Sequence, residues 1–281
     1  MTASTTKEVS VIVCTRNVGR ILERCLQSII AANPRELIIV DGKSTDDTLT
    51  VARKYTDKVI SDEGQGLAYA RNLGLDLADG KYVFYVGPDN ILLPDTLSVM
   101  LAEKEKYGWT GVSAMTRVYP VNNYLSWAIN EYKIVRFKPG EKPVIGTPWL
   151  YDRDILKKFR YTSGLISSDD TDLCERLRAD GYRVGISSAI VYEINDYTYR
   201  GVIGRWMWYG NSDAEFWRQY SAGWNWSRKL KSILHPLVDD FLKPSSEVIR
   251  RGKIFAVFFF AFITLVRYLG WIKSSKSVGK K

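Results

Sequence analysis

Apolar residues in this chain fall in short unbroken runs separated by amphipathic stretches, a rhythm that predicts buried strands alternating with helices. Val9-Ser10-Val11-Ile12-Val13-Cys14 predicts a first strand closed by Thr15-Arg16-Asn17, and Ile21, Leu22, Cys25, Leu26, Ile29 and Ile30 recur at helical spacing over Arg20 to Ala32. After Asn33-Pro34, Glu36 to Val40 predicts a second strand ending at Asp41-Gly42, followed by candidate N-caps and a helix from Leu49 to Tyr55. Lys58 to Ser61 predicts a third strand and Leu67 through Leu77 the next helix, so the chain opens as a βαβ series.

The strand that organises the rest is Tyr82-Val83-Phe84-Tyr85-Val86, which stops at the turn Gly87-Pro88-Asp89-Asn90. With no polar alternation it reads as buried on both faces, the habit of a parallel sheet covered by helices, and a carboxylate at its carboxyl end lies where open α/β sheets bind ligands. A second acidic cluster, Ser168-Asp169-Asp170-Thr171-Asp172-Leu173, follows about eighty residues later. Between them the pattern predicts a helix through Lys106, a strand over Gly111 to Arg117 and an aromatic amphipathic helix from Asn123 to Phe137. Val144 to Tyr151 reads as a strand or loop whose Gly146 and Pro148 deny it a central place. A helix over Thr171 to Asp180, ended by Gly181, and strands at Tyr182 to Ile186 and Ala189 to Tyr192 complete this region.

From Gly201 the pattern changes. Arg205-Trp206-Met207-Trp208-Tyr209, Phe216-Trp217 and Trp224-Asn225-Trp226 hold five of the nine tryptophans, a density suited to a lipid-headgroup region or an acceptor groove. Leu230 to Leu242 is amphipathic but contains Pro236, which predicts a short or kinked interfacial helix. Ile254 to Val266 carries no charge over thirteen residues, and the apolar run extends to Ile272 if Arg267 snorkels. Nineteen helical residues cover roughly 28 Å, close to a bilayer's hydrocarbon core. A buried core helix is the competing reading; cations at both ends, with Tyr268 and Trp271 near one of them, favour a membrane helix, spanning or interfacial.

Charge sharpens this division. The formal charge of +9 on 281 residues suggests nucleic acid at first, but eight basic residues and no acid lie from Ile249 onward, leaving 32 basic against 31 acidic residues before it. No nucleic-acid partner is implied. Met1 to Glu8 is polar, without an apolar leader, and reads as a flexible end. Cys14, Cys25 and Cys174 are odd in number and lack metal-ligand spacing, so they read as reduced thiols of a cytosol-facing protein. Gly64-Gln65-Gly66 before a helix invites a dinucleotide-binding reading, but Tyr69 takes the third glycine position and the loop does not follow the first strand.

Four ordered segments carry a sharper resemblance: Val9 to Asn17; Leu37 to Thr48; Gly66-Leu67-Ala68-Tyr69-Ala70-Arg71-Asn72-Leu73-Gly74; and Asp169 to Leu177. Over about residues 8 to 195 they resemble the inverting glycosyltransferases of family 2, which implies an α/β GT-A fold, a Rossmann-like mixed sheet flanked by helices. By that resemblance Cys14, Thr15, Arg16 and Asp41 line the nucleotide base and ribose, Arg71 the diphosphate side, Asp89 a divalent metal, Mn²⁺ or Mg²⁺, and Asp170 is the catalytic base. Asp169 and Trp149 fall on the acceptor or diphosphate side. Gly204-Arg205-Trp206 resembles the Arg-Trp end of a Gln-x-x-Arg-Trp motif in membrane-embedded, cellulose-synthase-like members, with Val202 at the Gln position, and places Arg205 at the diphosphate and Trp206 at the acceptor. Plain packing is the alternative for Trp206. Two departures stand out: Gly87 replaces the first acid of the usual Asp-x-Asp, and Glu193 lies near the place of a usual histidine, either as an oxygen ligand or as an ordinary strand-end acid.

The expected chemistry follows. A nucleoside diphosphate leaving group gathers negative charge that a carboxylate-held cation offsets, while a positioned carboxylate takes the acceptor's proton. Asp169, Asp170 and Asp172 also suit a helix N-terminus, and the division expected is that Asp172 serves the helix and Asp170 the reaction. The reading is a flexible N-terminus at 1–8, a GT-A catalytic domain at 9–200, aromatic interface helices at 201–248 and a basic-flanked membrane helix and tail at 249–281. The expected enzyme is a membrane-attached hexosyltransferase with its catalytic domain facing the cytoplasm. It moves a sugar, mannose foremost, from a nucleotide sugar (GDP-mannose, with UDP-sugars open) to a hydroxyl of a lipid-linked acceptor, giving a β-linkage; a homo-oligomer is allowed. The alternatives are a polyprenyl-phosphate sugar synthase and an inactive sugar-nucleotide-binding membrane protein.

Overall fold

The computed structural model describes residues 6–163, 165, 168–195 and 197–277, with side chains as far as Ser274. Residues 1–5 of the expected flexible N-terminus and Lys280 and Lys281 of the basic tail lie outside the described residues. In chain order the elements are β1 (Val9–Thr15), α1 (Gly19–Ala31), β2 (Glu36–Asp41), α2 (Thr48–Ala52), β3 (Val59–Ser61), α3 (Leu67–Leu77), β4 (Tyr82–Val86), β5 (Asn90–Leu92), α4 (Thr96–Tyr107), β6 (Gly111–Val118) and α5 (Tyr124–Arg136). They continue through β7 (Gly140–Lys142), β8 (Trp149–Asp152), α6 (Arg153–Phe159), α7 (Asp169–Ala179), β9 (Val184–Glu193), α8 (Tyr199–Tyr220), α9 (Trp226–His235), a π-helical stretch at Pro236–Leu242, α10 (Lys243–Arg250) and α11 (Ala256–Ser277). Two compact units result, Met1–Tyr119 with Phe137–Asn195, and Pro120–Arg136 with Asp196–Lys281.

The first unit holds a nine-stranded mixed sheet in the order β3-β2-β1-β4-β8-β6-β9-β5, with β7 paired to β9. The strands β3, β2, β1 and β4 are parallel, and the register sets Thr15 opposite Asp41 and Val13 opposite Val86. Side chains of β1 alternate between two cores: Val9, Val11 and Val13 meet Leu22, Leu26 and Ile29 of α1, while Ile12 shares the other face with Ala68 and Leu75 of α3. Helices on both faces explain why the strand is apolar at successive positions. Gly74 lets α3 approach closely, since a Cβ there would lie 2.6 Å from Cγ2 of Ile12.

Three expectations change. The strand ending at Asp152 is central, between β4 and β6, because it starts only after Pro148 and both breakers fall outside it. The two strands expected after Gly181 are one continuous β9, bulged where its register with β6 shifts between Ser113 and Met115. The short edge strand β5, pairing antiparallel with β9, sits where the sequence shows a turn followed by a helix.

The second unit is helical. The backbones of α8 and α11 touch: a Cβ on Gly270 would lie 2.3 Å from the Met207 carbonyl, and one on Gly210 1.9 Å from the Arg267 carbonyl. Arg267 does not snorkel. Its side chain is 12% exposed and bonds Asp213 through Nε and Nη2 (2.6 and 2.8 Å) and Asp240 through Nη1 (2.6 Å). The fully buried Asp240 also accepts from the Tyr132 hydroxyl at 2.7 Å and pairs with Arg136 at 3.2 Å, so four charges close on one another as burial demands. Pro236 ends α9 and starts the π-helical turns, matching the expected kink. The outward side of α9 is apolar (Trp226, Leu230, Ile233, Leu234), as is that of α11 (Phe258, Leu265, Leu269, Ile272).

Candidate active site

The site is built at the carboxyl edge of the first unit's sheet, from loops that leave adjacent parallel strands. Asp41 ends β2 with its carboxylate accepting from Thr15 Oγ1 (3.0 Å), the Ser44 amide (2.8 Å) and Ser44 Oγ (2.6 Å). Asn17, at φ 53°, accepts from the Thr45 amide at 2.8 Å and donates its own amide to Ser44 Oγ at 2.8 Å. The loops after β1 and β2 are thereby locked together, and the short polar Asn supports a left-handed conformation that a β-branched residue would resist. Cys14 lies half-buried beneath them; burial pushes its thiol up to about 12, Arg71 opposes, and the charges of Asp62 and Asp169 add. Arg16 is exposed beside this loop.

Asp169 and Asp170 open α7, where the macrodipole favours acids, and both meet the Arg71 guanidinium projecting from α3. Arg71 Nη1 donates to Asp169 Oδ2 and, at 2.8 Å, to Asp170 Oδ1, while Nη2 reaches Thr147 Oγ1 at 3.0 Å. Its guanidinium carbon lies 5.1 Å from the Trp149 ring and 5.0 Å from the Tyr161 ring. Burial works against the cation, but the two carboxylates outweigh it and hold Arg71 above its ordinary range. Exposure separates the acids: side chains of Arg71 and Asp169 are 7% and 8% exposed, that of Asp170 29%. Burial raises the Asp170 pKa to about 7, with Arg71 opposing and Asp169 adding. Asp172 is a helix residue instead, bonded to Thr162 Oγ1 (2.7 Å) and to Arg176 Nε and Nη2 (2.9 and 2.8 Å).

Asp89 stands in the turn after β4, closed by the Asn90 amide on the Gly87 carbonyl at 3.0 Å. Asn90 Nδ2 donates to Asp89 Oδ1 and the Gly87 amide donates to Asn90 Oδ1, each at 3.2 Å. A Cβ on Gly87 would fall 2.6 Å from Asp89 Oδ1, so the carboxylate leans into the space that a side chain at 87 would fill. Glu193 is buried and faces Asn90 across the β5–β9 pairing. Among the described residues no three His, Cys, Asp or Glu side chains gather as a metal cluster. The donor set fits a cation held by one carboxylate and completed by substrate phosphates, a common arrangement for Mg²⁺.

The link between the two acidic regions runs through Tyr85. Its hydroxyl donates to the Arg71 carbonyl at 2.9 Å, its strand neighbour is Trp149, and Asp89 follows it by four residues, at most about 14 Å along the chain. Tyr161 and Thr147 are partners that the sequence does not signal, because loops distant in the chain bring them to Arg71. Arg205 and Trp206 lie in the second unit: Trp206 is buried with edge contacts to Tyr132, Tyr209 and Phe259, and Arg205 lies over the Tyr197 ring.

Residues 10–160 match the model of glycosyl transferase family 2, more than half of the chain. The chain belongs to this family. A PGL/p-HBAD biosynthesis glycosyltransferase from Mycobacterium tuberculosis is 37% identical over 102 residues, covering 33% of this chain and 40% of that protein. The cholesterol galactosyltransferase of Borreliella burgdorferi is 31% identical over 100 residues, covering 33% of this chain and 28% of that one. The match thus spans less than half the length of these relatives. Among solved structures, a mannosyltransferase from Pyrobaculum calidifontis in complex with GDP-Man and Mn²⁺ superposes with a TM-score of 0.66 at 20% identity, covering 95% of this chain and 86% of that one. The S. aureus TarS fragment in complex with UDP-GlcNAc superposes at 0.53 with 20% identity, covering 74% and 66%. The fold of this family-2 chain is GT-A.

Proposed function

We propose that this family-2 chain is a membrane-attached inverting hexosyltransferase whose catalytic unit faces the cytoplasm. It moves a hexose, mannose foremost, from a nucleotide sugar to a hydroxyl of a lipid-linked acceptor, forming a β-linkage by single displacement. The observation that carries this is the Asp170 carboxylate, fixed at 2.8 Å from Arg71, partly open to solvent and raised to about 7, where a general base works best near neutral pH. In this reading Asp41, Thr15, Cys14 and Arg16 border the nucleoside and Arg71 faces the diphosphate, while Asp169 and the fully buried Trp149, expected from the resemblance on the acceptor or diphosphate side, lie against Arg71 and support it from within. Asp89 holds Mn²⁺ or Mg²⁺, which offsets charge on the departing diphosphate. The donor preference rests on the structural neighbour that holds GDP-Man, and UDP-sugars are the alternative.

Attachment to a membrane is supported by three features. Among the described residues α11 is the one helix long and apolar enough to cross a bilayer, at mean hydropathy 1.6 over Ala256–Ser274. The outward side of α9 is apolar although nothing in its own unit covers it, with Trp226 76% exposed. Residues 216–238 hold four Lys or Arg and no acid, a composition that suits anionic headgroups. The lipid acceptor follows from this attachment and is in keeping with the cholesterol named for one relative.

The test incubates full-length protein in detergent with labelled GDP-mannose or UDP-hexoses, Mn²⁺ and extracted lipids. Wild type releases nucleoside diphosphate and labels lipid; Asp170→Asn loses transfer by about 10²- to 10⁴-fold while still binding nucleotide. Transfer to polyprenyl phosphate alone that survives Asp170→Asn would instead establish a polyprenyl-phosphate synthase, since an ionised phosphate acceptor needs no base. Absence of turnover with every donor would establish an inactive sugar-nucleotide-binding protein.

A further inference from the structure

Arg71 binds two carboxylates with one nitrogen, and the two are not equivalent. Asp169 is enclosed with the cation, whereas Asp170 keeps 29% of its side-chain surface for a reactant. The Arg71 side chain is 7% exposed and its guanidinium carbon lies 5.1 and 5.0 Å from the mutually stacked Trp149 and Tyr161 rings, so its charge has little water to spread into and must be met by neighbouring anions. A single buried Arg–carboxylate pair would answer that need by making its carboxylate a poor base, because an adjacent cation lowers such a pKa by about 1–3 units. With two acids the cluster carries a net negative charge, and the outer acid keeps its affinity for a proton.

Resting on the reading of Asp170 as base, we propose that Asp169 is a positioning residue: it takes up the charge of Arg71 so that Asp170 remains basic enough to accept the acceptor's proton. Among the described residues, titratable groups that feel the charge of Asp170 include Tyr151 on β8, Tyr161 after α6 and Cys174 on α7. Burial pushes the Cys174 thiol up to about 11 and both phenols well above their ordinary range, so near neutral pH they are uncharged and Arg71 and Asp169 set the local field. In the step served, the acceptor O–H gives its proton to Asp170 as its oxygen bonds the anomeric carbon, and the carbon–phosphate-oxygen bond breaks with its electron pair leaving on the nucleoside diphosphate. The tight contact between Arg71 and the acid pair thereby sets how basic Asp170 is.

The experiment records kcat against pH for full-length wild type, Asp169→Asn, Asp169→Glu and Arg71→Gln with labelled GDP-mannose, Mn²⁺ and extracted lipids, alongside nucleotide binding by thermal shift. Asp169→Asn moves the acid limb down by 1–2 pH units and lowers the plateau about tenfold, as expected of a weaker base, with donor KM within about threefold. Asp169→Glu restores the limb. Arg71→Gln moves it up, and decides the matter should Asp169→Asn fail to fold. A limb that stays at the wild-type position in Asp169→Asn, or in Arg71→Gln if only that variant folds, overturns the positioning role while leaving the base assignment intact. Absence of wild-type turnover, or full turnover by Asp170→Asn, overturns both.

Discussion

Removing the charge of Asp170 should make this protein more stable, and the structure sets both the sign and the scale. The folded state raises the Asp170 pKa from 3.8 to about 7, so the fold binds this proton more tightly than the unfolded chain does. A group raised in this way contributes stability that is full below its unfolded pKa and is lost as pH rises through the folded one. The wild type therefore surrenders it between about pH 4 and pH 8, whereas Asp170→Asn stays neutral throughout. At 1.36 kcal/mol per unit the ceiling is roughly 4 kcal/mol, and partial exposure of the side chain together with the lost Arg71 pair reduces it to about 1–3 kcal/mol. For a domain of this size that corresponds to about 3–8 °C in Tm. Melting curves of both proteins in the same detergent from pH 4 to pH 9 should coincide at the acid end, diverge progressively as pH rises and reach a constant separation by about pH 8, with the variant higher, while transfer is lost. A variant destabilised equally at pH 5 and pH 8 would show that the carboxylate is an ordinary ion-pair partner, and the proton affinity assigned to the base would be wrong.

Three further outcomes follow from other parts of the molecule. Gly87→Ala displaces the Asp89 carboxylate, which lies 2.6 Å from the new Cβ; Mn²⁺-dependent GDP affinity should fall at least threefold while Tm shifts little, because a side-chain tip gives way and not backbone. Arg267→Met leaves Asp240 with Arg136 and Tyr132 but without its strongest partner and should cost about 3–5 kcal/mol in thermal or denaturant melts; an unchanged melt would mean the buried cluster is not closed as described. Replacing Trp226, Leu230 and Ile233 together by Ser should weaken flotation with vesicles containing anionic lipid at least fivefold without altering nucleotide binding, and equal flotation would remove α9 from the membrane surface.

Local pattern determined a good deal of this protein. Apolar runs at Val9 to Cys14, Leu37 to Val40 and Tyr82 to Val86 can bury both faces only inside a helix-covered sheet, so such a sheet follows from run length, while its GT-A character was what the family resemblance implied. The acids that end those runs lie at the carboxyl edge by the same logic. The helix over Leu67 to Leu77 was legible residue for residue from its spacing and flanking glycines. What the pattern could not supply depends on contacts between distant segments. The centrality of β8 depends on where pairing begins relative to Pro148, and β5 is too short to carry a periodicity and exists because β9 offers it an edge. Arg267 illustrates the same limit: within its own run it reads as a cation that must reach for water, yet Asp213 and Asp240 from two other segments neutralise it in place. The pairing of Arg71 with Asp169 and Asp170 spans nearly a hundred residues, and its consequence for proton affinity depends on burial and on Trp149 and Tyr161 beside it. Sequence fixes which side chains carry charge; packing decides how much of that charge water is allowed to screen, and therefore which carboxylate can act as a base.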